Sequence, residues 1–162
     1  SETVDALLAF TFVGAFCGSV AIYMLYFGRT AEQGVQAIVN SDDPGKLAAF
    51  AYHYVHPLMV AGIILAAAGD EVVLHDPSHH AVDGAAWFVA GGGALFLLGH
   101  FVYLRLIRTA WPIPHLAAIA VLLGLAVVGS HLAGLTVGLL TLAILTVLLI
   151  ADAAVKRGRV SI

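Results

Sequence analysis

The residues that could do chemistry stand inside or beside long apolar runs. Tyr52-His53-Tyr54-Val55-His56-Pro57 is the densest group. His53 and His56 are three apart and share one face of a helix. Pro57 has no backbone N–H, so the carbonyl of His53, four positions earlier, loses its helical partner and the helix kinks there. Two imidazoles and a freed carbonyl therefore converge within one turn. A further imidazole, His100, follows Gly99 in a later apolar run, and counting inward from the same end it lies at the depth of His56, about two turns in. His53, His56 and His100 are accordingly candidate ligands for a haem or a divalent metal, or members of a proton relay. The alternative is that each hydrogen-bonds a neighbouring helix, a contact worth about 1 kcal/mol or less.

A second group closes the same apolar run at its far end, with Asp70, Glu71, His75 and Asp76 followed by His79, His80 and Asp83. Glu71 and His75 are four apart and stack on one helix face. Asp5 and His131 belong to the same end of the molecule. Carboxylates beside imidazoles suit proton uptake or capture of a cation. Asp76, His79, His80 and Asp83 read as a hydrated loop. Glu71, close to the end of the apolar run, is expected to be partly buried, and with Asp70 and His75 it forms the candidate proton or cation site.

These residues are positioned by apolar segments that have the length of membrane spans. The chain has 162 residues, 61% of them apolar and 10% charged, with a mean hydropathy of +0.99; soluble domains average about 25% charged residues. Five runs, roughly Val4–Phe27, Leu47–Leu74, Ala85–Ile107, Pro114–Ser130 and Ala133–Ala154, each reach the length of about 20 residues that a crossing needs. Lipid cannot satisfy exposed backbone groups, so the fold class is all-α, a single transmembrane bundle of about five helices over 1–162. An ionisable side chain in mid-membrane costs about 2.5–3.5 kcal/mol, which is why the histidines and carboxylates call for a reason. Little length remains for a soluble catalytic domain, and there is no phosphate loop, nucleophile elbow or HExxH pattern, so the expectation is a non-enzymatic protein. The net charge of −3 offers no footprint for nucleic acid.

Local signals mark the joints. Asp43-Pro44 predicts an N-cap followed by proline at the first helical position. Trp111-Pro112-Ile113-Pro114 predicts the break before the fourth span, and the few residues around Ser130-His131 predict a tight hairpin. The stretch from Gly28 to Lys46 has room for one short surface helix around Val35, Ile38 and Val39. Ser1, Glu2 and Asp5 make the start acidic, unlike the basic head of a signal peptide, so the first run is expected to be a retained helix; a first residue other than Met fits either a processed start or a piece of something longer. Gly14-x-x-x-Gly18 and Gly134-x-x-x-Gly138 are small-residue motifs expected to pack helices together within the chain or between two copies, and Gly91-Gly92-Gly93 leaves a smooth patch on the third span.

Orientation follows from the basic residues. With loops numbered alternately, all seven Lys and Arg residues fall on one side: Arg29 and Lys46, Arg105 and Arg108, then Lys156, Arg157 and Arg159. The positive-inside rule makes that side cytoplasmic, giving an N-out, C-in arrangement. The five tyrosines lie toward this side, as interfacial anchors do. The arginines snorkel to headgroups, and Asp152 is expected to pair with the basic tail beside it.

The stretch from Tyr52 to Ile63, the run Ala68-Gly69-Asp70-Glu71 and Gly92-Gly93-Ala94-Leu95-Phe96-Leu97-Leu98-Gly99-His100 resemble the bacterial low temperature requirement A (LtrA) family. His56, Gly62, Glu71 and the Gly-x-Ala-Leu-x-Leu-x-Gly run carry the resemblance, which covers nearly the whole chain and corresponds to the C-terminal half of the family's pattern. The Arg and Glu-Leu-Phe-Phe-Asp-type signature of the N-terminal half has no counterpart here. The resemblance implies a multi-pass protein of the bacterial cytoplasmic (inner) membrane, acting in transport or membrane adaptation. Two other readings stand beside it: an accessory subunit packed in a larger membrane complex, and a haem- or metal-carrying protein using His53, His56 and His100. The expected partners are the lipid bilayer and either other membrane subunits or a second copy of the chain.

Overall fold

The computed structural model describes residues 2–28, 30–77, 84–107 and 111–158, the side chains of 2–4 and 155–158 excepted. Among the described residues the regular structure is helical. The elements are α1 (Glu2–Phe27), α2 (Thr30–Val39), α3 (Pro44–Phe50), a π-helical turn (Ala51–Val55), α4 (His56–His75), a second π-helical turn (Trp87–Gly91), α5 (Gly92–Ile107), α6 (Ile113–Val128), a 3-10 turn (Gly129–His131) and α7 (Gly134–Gly158). Five stretches are long and apolar enough to cross a membrane: Asp5–Val39, Pro44–His75, Trp87–Ile107, Ile113–His131 and Gly134–Ala154.

The joints follow local chemistry. Asp43 caps α3, its carboxylate accepting the N–H of Lys46 at 3.0 Å, with Pro44 in the first turn. Pro112 stands at the N-cap of α6 and a proline follows within its first two positions. The short helix expected in the first loop is α2. Its Gly34 lies against the hydroxyl of Tyr103, where a Cβ would overlap the oxygen. Thr30 ties α2 back to α1, its hydroxyl donating to the carbonyl of Leu25 at 3.2 Å. Gly84, at φ +100°, turns the chain into the second π turn, a conformation that glycine adopts without strain.

The kink expected at Pro57 takes a definite form. The N–H of His56 reaches the carbonyl of Ala51, five residues back, so the turn before the proline widens to a π turn. Pro57 cannot close the bond to His53, and the widened turn accommodates one extra residue.

The crossings form a ring in the order α1, α4, α5, α6, α7, with α7 returning to α1. The α4–α5 seam is the tightest. A Cβ on Gly92 would stand 2.5 Å from the backbone nitrogen of Ala66, one on Gly69 2.6 Å from that of Val89, and one on Gly62 would run into the backbone of Phe96. By contrast, a Cβ on Gly18 or Gly138 meets nothing within 4 Å. The packing expected of the two small-residue motifs is thus found on another pair of helices, only Gly134 pressing on a neighbour (Val73, 3.1 Å). Small residues permit close approach without compelling it, because in lipid the approach is set by the van der Waals fit of whole helices.

Two ends can be told apart. One carries Asp70, the C-terminal end of α4 and the α6–α7 hairpin, joined where the N–H of Leu135 meets the carbonyl of Pro77 at 3.2 Å. The other carries the tyrosines, Lys46, Arg105 and Asp152.

Candidate functional site

A cavity of about 310 Å3 lies between α1, α4, α5 and α7. Small residues explain it: Gly14, Ala15 and Gly18 of α1 and Gly138 of α7 line the space, and a Cβ on Gly18 or Gly138 would meet nothing within 4 Å. Its walls are mainly apolar, including Met59, Ile63, Phe96 and Leu139. Asp70 and His56 both line it. They are separated by 14 positions of one helix, about 21 Å at 1.5 Å per residue, so the cavity follows most of a bilayer's hydrocarbon thickness. Asp70 is the carboxylate among the lining residues, and no Lys or Arg is among them. The hydroxyl of Thr11 is satisfied by the carbonyl of Leu7 at 2.8 Å. His56 Nδ1 and Thr141 Oγ1 are buried without a hydrogen-bond partner among the described residues.

The expectation for Glu71 is corrected by the helix itself. One residue is about 100° of rotation, so Asp70 faces the cavity while Glu71 is exposed. His75 is exposed as well, its ring Nδ1 3.3 Å from the carbonyl of Glu71. Asp5, Asp76 and His131 are exposed, and His79, His80 and Asp83 lie outside the described residues.

At the other end the histidines separate into two settings. His53 is exposed, its Nδ1 3.2 Å from the carbonyl of Ala49, so the shared face with His56 is not realised: the π turn between them shifts the register. His56 and His100 do approach one another through Tyr26, whose ring stands edge-on to both at 5.3 and 6.5 Å between centroids. Tyr52 and Tyr103 complete the cluster at 5.6 Å from His56 and 5.7 Å from Tyr26. Among the described residues no group of three or more His, Cys, Asp or Glu side chains is placed to hold a metal ion.

Sequence reasoning passed over His115. It is fully buried, and its Nε2 lies 3.2 Å from Nδ1 of His100, itself fully buried. The same Nε2 lies 3.9 Å from Oδ2 of Asp152, which is 15% exposed. Asp152, expected to serve the basic tail, therefore faces an imidazole; the side chains of Lys156 and Arg157 are outside the described set. The signal for His115 was present, since an ionisable residue in the first turn of an apolar helix needs a partner. The partner, 15 positions away on another helix, was not visible.

Compared with known proteins, residues 1–150 match the family described as bacterial low temperature requirement A protein (LtrA). The chain belongs to that family. No curated protein and no solved structure matches it. Among the positions that carry the family resemblance, His56 lines the cavity, Gly62 forms the α4–α5 seam, and the Gly92–Gly99 run supplies the seam's other wall. The LtrA family and the five apolar helices together make this a multi-pass membrane protein.

Proposed function

We propose that this LtrA protein is a non-enzymatic transporter of the cytoplasmic membrane, N-terminus outside, that takes a small, largely apolar solute with an amine or other cationic end. The observation that carries this reading is Asp70, a partly buried carboxylate lining an apolar cavity without a Lys or Arg beside it. A carboxylate in such surroundings is costly, and a cationic guest offsets that cost. The cavity volume is at the lower edge of small-molecule sites, about 300–1,000 Å3. Phe96 lines the wall between the two ends, and Tyr23, Tyr26 and Phe27 line the end away from Asp70, aromatic rings that a cation would meet on its way along the cavity. The one-sided distribution of Lys and Arg supports Asp70 on the outer side. Movement of such solutes fits a role in membrane adaptation.

The test uses the whole chain in lipid vesicles with ethidium and a set of small aromatic amines. Saturable uptake is expected from the unmodified protein. Asp70→Asn keeps the shape and removes the charge, forfeiting about 1.5–3 kcal/mol, or roughly ten- to a hundredfold in affinity. Gly18→Leu puts a Cβ where nothing lies within 4 Å and extends a side chain into the cavity, which should stop uptake. Absence of saturable uptake by the unmodified protein, or full activity of both variants, refutes the reading.

A further inference from the structure

Three titratable side chains from three helices meet near the tyrosine end, and none of them lines the cavity: His100 on α5, His115 on α6 and Asp152 on α7. His115 Nε2 stands 3.2 Å from His100 Nδ1 and 3.9 Å from Asp152 Oδ2. Among the described residues, one nitrogen therefore faces an imidazole within hydrogen-bond reach and a carboxylate just outside it.

The two partners suit two protonation states. A neutral imidazole carries one N–H and one lone pair, so neutral His100 and His115 share a single proton across the 3.2 Å contact, whichever ring donates. A charged His115 donates from both nitrogens. If His100 was the donor, two N–H groups then face each other, and the contact breaks unless His100 moves its proton to its other nitrogen. If His115 was the donor, its N–H has a choice: the bond to His100 involves one ion, the bond to the carboxylate joins two opposite charges, and at equal length the second is the stronger attraction. Closing the gap to Asp152 by about 1 Å gives the usual length of about 2.7–2.9 Å. Either way the added proton moves His115 from His100 to Asp152.

We infer that His115 is a proton-binding site with two states: unloaded and bonded to His100, or loaded and paired with Asp152. The proton comes from water, forms an N–H bond on the imidazole and returns to water on unloading; nothing is oxidised or reduced. The surrounding groups are consistent with this. On α5, Arg105 holds its guanidinium 4.4 Å over the ring of Trp111. On α1, Tyr26 stands edge-on to His100, and on α4, His56 packs against Tyr26. On α7, Asp152 is the acid facing the imidazole pair. Arg108 and the side chains of Lys156 and Arg157 lie outside the described residues. Release of His100 reaches the cavity through Tyr26 and His56, and that last link rests on the transport reading; proton binding does not.

The test is made on the whole chain in lipid nanodiscs, with 15N-labelled histidine and no solute present. Between about pH 5 and 8 the 15N signals of His115 should change reversibly from neutral imidazole to imidazolium, and its coupling to His100 should disappear. Asp152→Asn should weaken proton binding at His115 by roughly tenfold or more. His100→Phe, which removes the neutral competitor, should strengthen it. An infrared titration of the unmodified protein guards against a variant that misfolds, because pairing with a loaded His115 should shift the Asp152 carboxylate bands as His115 loads. The inference is overturned if His115 stays neutral across the window, if Asp152→Asn leaves its proton affinity within about twofold, or if the Asp152 carboxylate bands do not respond as His115 loads. Failure of amine uptake with the titration intact sinks the transport reading alone.

Discussion

Four glycines that look alike in sequence should respond to one substitution with opposite signs. Gly→Ala in a helix interior stabilises by about 0.5–1 kcal/mol, because alanine has less backbone freedom to lose on folding. At Gly18 and Gly138 nothing opposes that gain, since the new methyl meets no atom within 4 Å. At Gly62 and Gly92 the methyl meets backbone: the amide of Phe96 and the Gly92 carbonyl oxygen at 2.8 Å in one case, the nitrogen of Ala66 at 2.5 Å in the other. Backbone cannot rotate aside as a side chain can, so α4 and α5 must separate. Overpacking of this kind costs about 1–3 kcal/mol. Net of propensity, Gly62→Ala and Gly92→Ala should each lose about 0–2.5 kcal/mol, while Gly18→Ala and Gly138→Ala gain up to about 1. Reversible unfolding of the purified protein in mixed micelles, followed by circular dichroism, reads the difference directly. Equal stability of Gly62→Ala and Gly18→Ala would refute the assignment of the α4–α5 contact as the close seam.

Other outcomes follow from the same geometry. Glu71→Gln should leave amine binding unchanged while Asp70→Asn weakens it, because only Asp70 lines the cavity; comparable losses in both would contradict the helix rotation. For topology, single cysteines at Ser78 and Ser161 in a Cys17→Ala background should differ, an impermeant thiol reagent on intact cells labelling position 78 only. Gly34→Ala should push the Tyr103 ring away from α2, and amide exchange in Thr30–Val39 should quicken while α6 and α7 are unaffected.

Much of the architecture was legible because lipid leaves the chain few options. A run of about 20 apolar residues must be a helix, and Asp43-Pro44, Pro112 and the short Ser130-His131 joint act through bonds within a few residues, so their effects can be read locally. The surface helix in the first loop belongs to the same class of inference. What tertiary structure alone decided concerns facing and partners. Asp70 and Glu71 are adjacent in sequence, and only the rotation of α4 against its neighbours sends one to the cavity and the other outward. Gly18 and Gly92 are the same residue in equally apolar helices, yet one borders empty space and the other a backbone nitrogen, since the separation of two helices depends on every side chain between them. His53 left the face of His56 because Pro57 widened the turn between them. His115 acquired its meaning from His100 and Asp152, which α5 and α7 bring to one nitrogen. Spans and caps are set by interactions along the chain; a site is set by interactions across it, and those exist only once the helices have packed.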